Sequence, residues 1–168
     1  MKILLAVDGS AYTQKMLAYL TSHQEMLGTG HEYTIITVQP LLPPRARAAL
    51  GKEVVEQYYD EESTKILQPV QEFLKGRGVE AQRISKVGPI ADTIIHAAQD
   101  GKFDLIAMGT HGHGALGRLV MGSVSSQVLA GVACLSMLFA TSTTIMDIAL
   151  ALEARTGAVN STWVTTVN

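Results

Sequence analysis

The sequence predicts a doubly wound α/β domain built on a mostly parallel sheet with helices on both faces. Three observations carry this. Short apolar, β-prone runs alternate with stretches of helical periodicity, as strands joined by crossover helices require. The first and fourth runs are apolar almost without interruption, which suits strands covered on both faces. Turn-forming residues follow the runs, at the ends where open α/β sheets carry their ligands.

Residues 2–7 read as a buried first strand. Asp8-Gly9-Ser10 follows as a turn, with Ser10 placed to cap the next helix. Met16, Leu17, Leu20, His23, Gln24 and Leu27 then recur near helical spacing, and Gly28-Thr29-Gly30 ends that helix. Residues 33–38 form the second strand. Gln39-Pro40-Leu41-Leu42-Pro43-Pro44 cannot continue it, because proline lacks the ladder donor, and residues through Gly51 read as a long connection. Residues 53–75 are polar but periodic, with Val54, Tyr58, Ile66, Val70 and Phe73 as the buried stripe and Pro69 as a kink point. Gly76-Arg77-Gly78 stops this helix. Residues 79–87 give a third strand of mixed alternation. Gly88-Pro89 opens a helix whose apolar face is Ile90, Ile94, Ile95 and Ala98. Gly101-Lys102 ends it, residues 104–108 form the fourth strand, and residues 125–129 resume helical character.

A length of 168 residues suits one domain with a sizeable core. At 17% charged and 47% apolar residues the chain is globular rather than disordered. The formal net charge of −2, with no basic stripe, speaks against a nucleic-acid partner. One cysteine, Cys134, leaves no internal disulfide framework and fits a reducing cytoplasm. The opening apolar run is too short for the core of a signal peptide with its cleavage site. Residues 128–146 carry no charge and are long enough to raise a membrane span. Ser136 and Thr141-Ser142-Thr143-Thr144 dilute that run, and no Lys or Arg anchors either end, so a membrane partner is not expected.

Between the fourth strand and the following helix lies a glycine-rich run from Met108 to Ser123. A strand, a glycine loop and a helix start together make an anion site, because bare backbone N–H groups and the helix N-terminus both face the anion. Gly112-His113-Gly114-Ala115-Leu116-Gly117 matches the dinucleotide fingerprint in letters but not in place. That fingerprint belongs to the first strand–helix turn, with an acidic residue about 20 positions on; here the first turn is Asp8-Gly9-Ser10 and the next acid is Asp147. A P-loop needs Lys and Ser or Thr after its last glycine, and Arg118-Leu119 follows instead.

A third pattern fits throughout: Gly109, two residues, Gly112, nine residues, Gly122, then Ser123. With Val7-Asp8-Gly9-Ser10, Val87-Gly88-Pro89 and the segment from Asp104 to Gly112 in the same order, the chain resembles the universal stress protein family over roughly residues 1–134. The resemblance implies a five-stranded sheet of the adenine nucleotide alpha hydrolase-like kind, an adenine nucleotide site of the ATP-binding branch (ATP, with or without Mg²⁺), and a homodimer. By matching motif positions, Val7, Asp8 and Val38 would frame adenine and ribose. Gly109, Gly112, Gly122, Ser123 and Val124 would surround ribose and phosphates, with Ser125 close by and His111 inside the signature. Met108 reads equally as core or as an adenine contact.

The residues support these roles on their own chemistry. Glycines leave room for oxygens to meet backbone donors, and Ser123 and Ser125 open a helix toward an anion. Arg118 lies within reach of phosphates. Asp8 accepts from a sugar hydroxyl or a base amine, or equally serves only as a turn residue before glycine. His111 and His113, without clustered partners, are a weak metal signal. The Asp60-Glu61-Glu62 run reads as a solvated helix face.

After Cys134 the resembled pattern calls for Pro-Val and an apolar strand, whereas this chain has Leu135-Ser136-Met137-Leu138-Phe139-Ala140 and an atypical tail over residues 141–168. Codons for Cys-Pro-Val-His-Ala-Val-Arg that lose one C read Cys-Leu-Ser-Met-Leu-Phe followed by an alanine codon, which places the tail out of frame. Residues 134–140 stay apolar enough for a fifth strand, dimerisation through that strand is put in question, and residues 145–154 suit a short appended helix. No catalytic triad, carboxylate pair or metal cluster stands in the convergent segments. The first functional reading is therefore a nucleotide-binding regulatory protein of stress responses. A ligand-independent interaction module and a slow ATPase are the alternatives.

Overall fold

The computed structural model describes residues 1–22, 30–110, 122–132, 135–140 and 162–166. Its centre is a parallel sheet of six strands in the order β3-β2-β1-β4-β5-β6. The strands are β1 (Lys2–Ala6), β2 (Glu32–Gln39), β3 (Ala81–Val87), β4 (Leu105–Gly109), β5 (Leu135–Ala140) and β6 (Thr162–Thr166). The helices are α1 (Ala11–Ser22), α2 (Pro44–Leu50), α3 (Lys52–Lys75), α4 (Ile90–Asp100) and α5 (Ser123–Gly131). The parallel α/β architecture expected from the sequence is present. The implied five strands stand in order, and β6, from the tail, adds a sixth beside β5.

The continuous apolar runs of β1 and β4 are explained by which face each residue meets. Ile3, Leu5 and Val7, with Leu105 and Ala107, pack against Met16, Leu17 and Leu20 of α1 and Leu67, Val70 and Leu74 of α3. Leu4, Ile106 and Met108 face the other way, against Ala91, Ile94 and Ala98 of α4 and Val128 of α5. Alternate residues thus enter opposite cores, and neither face of β1 or β4 is left to water. At the sheet edge β3 has one neighbour, and Gln82, Arg83, Ser85 and Lys86 are exposed. This accounts for its mixed alternation.

The chain steps outward from β1 through β2 to β3, returns through α4 to β4 beside β1, and continues outward to β5. The crossovers leaving β1 and β4 therefore lie on opposite faces, and a crevice opens at their carboxyl ends.

Three expectations need correction or completion. The stretch before Gly51 is not all connection, because Pro44–Leu50 is α2, with proline at its first turn where no N–H is needed. Helix α3 spans Lys52–Lys75 with Pro69 inside it, and its buried residues are Val55, Ser63, Leu67, Val70 and Leu74, whereas Val54 and Tyr58 of the expected stripe are exposed. It stops as foreseen at Gly76-Arg77-Gly78, where Gly78 takes a left-handed φ of 76°. The uncharged run is divided between the end of α5 and β5, and among the described residues no helix is long and apolar enough to cross a membrane. The periodic residues His23, Gln24 and Leu27, Cys134, and the helix expected over residues 145–154 lie outside the described residues.

Candidate functional site

The first wall of the crevice is the turn after β1. Val7 N–H donates to the Ile36 carbonyl at 2.9 Å, which extends the β1–β2 ladder by one residue. Its side chain is buried in the α1–α3 core, so only its backbone borders the crevice. The half-buried Asp8 is tied into the turn. Its Oδ1 accepts from Ser10 N–H at 2.9 Å and from the Thr13 hydroxyl at 2.8 Å, while Asp8 N–H donates to Thr13 Oγ1 at 3.2 Å. Ser10 does not cap α1 with its side chain. Its buried hydroxyl makes no hydrogen bond, and its carbonyl accepts Gln14 N–H. Asp8 closes the turn instead, its carboxylate taking the N–H two residues on and the Thr13 hydroxyl. Thr13, not anticipated from the sequence, locks that carboxylate, and no local spacing rule marks a partner five residues on.

The second wall joins the ends of β2 and β3. Gly88 N–H donates to the Gln39 carbonyl at 2.9 Å, and α4 begins immediately after Pro89. A Cβ on Gly88 would lie 2.9 Å from Thr93 Oγ1, whose hydroxyl donates to the Pro89 carbonyl at 2.6 Å. Only glycine fits this close approach. Val38, near the end of β2, is partly buried against the α4–α5 core.

The third wall is the junction of β4 with α5. Thr110 C=O accepts Gly122 N–H at 2.7 Å and the Ser125 hydroxyl at 2.9 Å. The two ends of the glycine loop are thereby pinned together at its base. The Ser125 side chain is 2% exposed and its hydroxyl also donates to the Gly122 carbonyl. What Ser125 offers an anion is therefore its backbone N–H. The first helical bond of α5 runs from Ser126 N–H to Gly122 C=O, so the N–H groups of Ser123, Val124 and Ser125 precede the ladder. The N-cap of α5, Gly122, has no side chain to cap with, and the first turn of the helix holds no acid. Ser123 is exposed, whereas Met108 is 6% exposed and packs in the α4–α5 core. The sequence left both readings of Met108 open, and the structure places it in the core. Gly109 ends β4, and His111, Gly112, His113 and Arg118 lie outside the described residues.

Between the second and third walls opens a cleft of about 430 Å³. Pro40, Leu41, Pro89, Ile90, Ala91 and Val124 make apolar walls, with Asp92 and Gln127 as polar members. Its lining is mostly apolar, and Val124 on its α5 side carries one of the N–H groups described above. Pro40 was visible in the sequence as a breaker and Pro89 as a helix opener, and their role as walls depends on β2 and β3 being neighbours. Among the described residues no group of three or more His, Cys, Asp or Glu is placed to hold a metal ion.

The family model described as the universal stress protein family matches residues 1–138. The chain belongs to the universal stress protein family. Universal stress protein YxiE of Bacillus subtilis is 30% identical over 139 residues, covering 76% of this chain and 90% of the relative. Universal stress protein Slr1230 of Synechocystis is 29% identical over 128 residues, 76% of this chain, and the match spans only 38% of that relative's length. A universal stress protein family protein from Arabidopsis thaliana, with AMP bound, superposes with a TM-score of 0.60 at 15% identity, covering 82% of this chain and 90% of its own. A universal stress protein complex with cAMP (TM-score 0.60, 20% identity, 84% and 98% covered) shares the fold. So does the Archaeoglobus fulgidus complex with dAMP (TM-score 0.56, 18% identity, 82% and 96% covered). At these identities the structural likeness establishes the fold alone.

Proposed function

We propose that this universal stress protein binds an adenine nucleotide, ATP in its working form, in the carboxyl-end crevice and acts as a nucleotide-responsive regulator. The observation that carries the reading is the open N-terminus of α5. Its N-cap is Gly122, its first turn holds no acid, and the Thr110 carbonyl pins it to the end of β4. Three N–H groups ahead of the helical ladder and the positive end of the helix dipole favour a phosphate there. The apolar cleft beside Val124 takes the base, and Asp8, oriented by Thr13, serves the sugar hydroxyls. AMP, cAMP and dAMP in structural neighbours support an adenine nucleotide as the ligand class.

The bound nucleotide supplies charge and shape. Ser123, Val124 and Ser125 hold phosphate oxygens, and any Mg²⁺ rides on the phosphates with mostly water ligands. Binding shifts the conformational balance of the chain, and partners read that difference. Acid release of the purified protein's ligand, identified by anion-exchange chromatography after incubation with ATP, tests the reading. Recovered adenine nucleotide that disappears in Gly122→Val supports it. Recovery of none from the unaltered protein contradicts it. Recovery as ADP at a steady rate would favour the slow ATPase instead.

A further inference from the structure

The wall of the cleft that carries Pro40 and Leu41 belongs neither to β2 nor to α2. Pro40 has no N–H for a ladder, and at the far end the Pro43 carbonyl already accepts Arg47 N–H at 3.1 Å to open α2. The stretch from Pro40 to Leu42 is left to span the gap without ladder or helical bonds. Among the described residues, both hydrogen bonds of its backbone run to one side chain. Leu42 N–H donates to the Tyr59 hydroxyl oxygen at 2.7 Å, and that hydroxyl donates to the Pro40 carbonyl at a longer 3.5 Å. Tyr59 stands on α3, a helix that contributes no residue of its own to the cleft lining. It is half-buried, and its ring centre lies 5.6 Å from that of the exposed Tyr58.

We propose that Tyr59 is a positioning residue of the nucleotide cleft, acting through Pro40–Leu42 to hold the outer wall against the base. The inference rests on the nucleotide reading given above. A phenol hydroxyl both accepts and donates, so one atom can close the backbone on two groups two residues apart. The opposite wall is fixed separately, by Gly88 N–H on the Gln39 carbonyl and by the Thr93 hydroxyl on the Pro89 carbonyl. With Tyr59 in place the two walls face each other at a set separation. Without its hydroxyl, Pro40–Leu42 has more conformers to lose when a base enters, and binding weakens by that ordering cost. The coupling is reciprocal: a base that braces Pro40 and Leu41 also steadies the Tyr59 contact on α3.

Tyr59→Phe in the full chain tests this, because it keeps the ring and removes the hydroxyl. Residue-resolved hydrogen exchange should show the Leu42 amide protected in the unaltered protein, slower still with AMP bound, and unprotected in the variant. By calorimetry, AMP should bind the variant about fivefold more weakly, the effect of one neutral hydrogen bond. Ribose 5-phosphate, read by its displacement of AMP, should bind both proteins alike, because it leaves the base wall empty. Tyr58→Phe, which alters the neighbouring exposed ring, should change none of these readings. Equal protection of Leu42 in both proteins overturns the inference. So does equal weakening of AMP and ribose 5-phosphate, which would mark a general loosening of the chain. Equal AMP affinity in both proteins overturns it and leaves the nucleotide reading standing. An unaltered protein that binds no AMP removes that reading, and this inference with it.

Discussion

The residues that matter most to the crevice are those whose polar atoms are used up in building it. Ser125 spends its hydroxyl on the Thr110 and Gly122 carbonyls in a 2% exposed position, so Ser125→Ala leaves buried carbonyl capacity unmet. It should cost about 1 kcal/mol in urea unfolding and loosen the loop base, weakening nucleotide binding. Gly88→Ala presents the crowding more sharply. Its Cβ displaces the Thr93 hydroxyl from the Pro89 carbonyl, and a loss of about 1 kcal/mol should shrink when Thr93→Ala is added. Additive losses in that cycle would show that the contact is not the cause. At this scale the sequence was legible where residues mark an element's end, as at Ser123, where α5 begins. It was silent on Thr13, and it expected a side-chain cap from Ser10 whose hydroxyl bonds nothing, because side-chain direction depends on the local shape of the turn.

Among the elements, β1 and β4 were readable because burial on both faces writes a near-continuous apolar run, and β2 because residues 33–38 are β-branched or aromatic. Helix α2 was not, since the prolines before it look like a loop until one is seen to occupy the first turn. Strand β6 was also invisible, being short, rich in threonine and paired with residues far away in the chain. Helix α3 tolerates Pro69, which leaves the Lys65 carbonyl without its intrahelical donor. Pro69→Ala should therefore raise stability, by up to about 3 kcal/mol; an unchanged midpoint would mean that the surrounding packing needs the proline. In β2, burial raises the pKa of Tyr33 above its ordinary 10.0. Because the folded value is the higher one, this contribution is complete below pH 10 and is lost as pH rises through the folded value. Denaturant midpoints should fall on the alkaline side, and more weakly in Tyr33→Phe.

For the whole molecule, topology converts three ordinary turns into one crevice, because β1 and β4 are neighbours whose crossovers leave on opposite faces. The same topology gives β6 its place beside β5. The tail itself has a genetic test: the out-of-frame reading predicts that close relatives carry a base after the Cys134 codon that restores Pro-Val, and relatives without it contradict that origin. The central claim concerns the crevice, and isothermal titration calorimetry of the full chain with ATP, ADP and AMP reaches it most directly. The account predicts saturable one-to-one binding of at least one of the three, abolished in Gly122→Val. No heat with any of them, from protein shown to be folded by its cooperative unfolding, would contradict it.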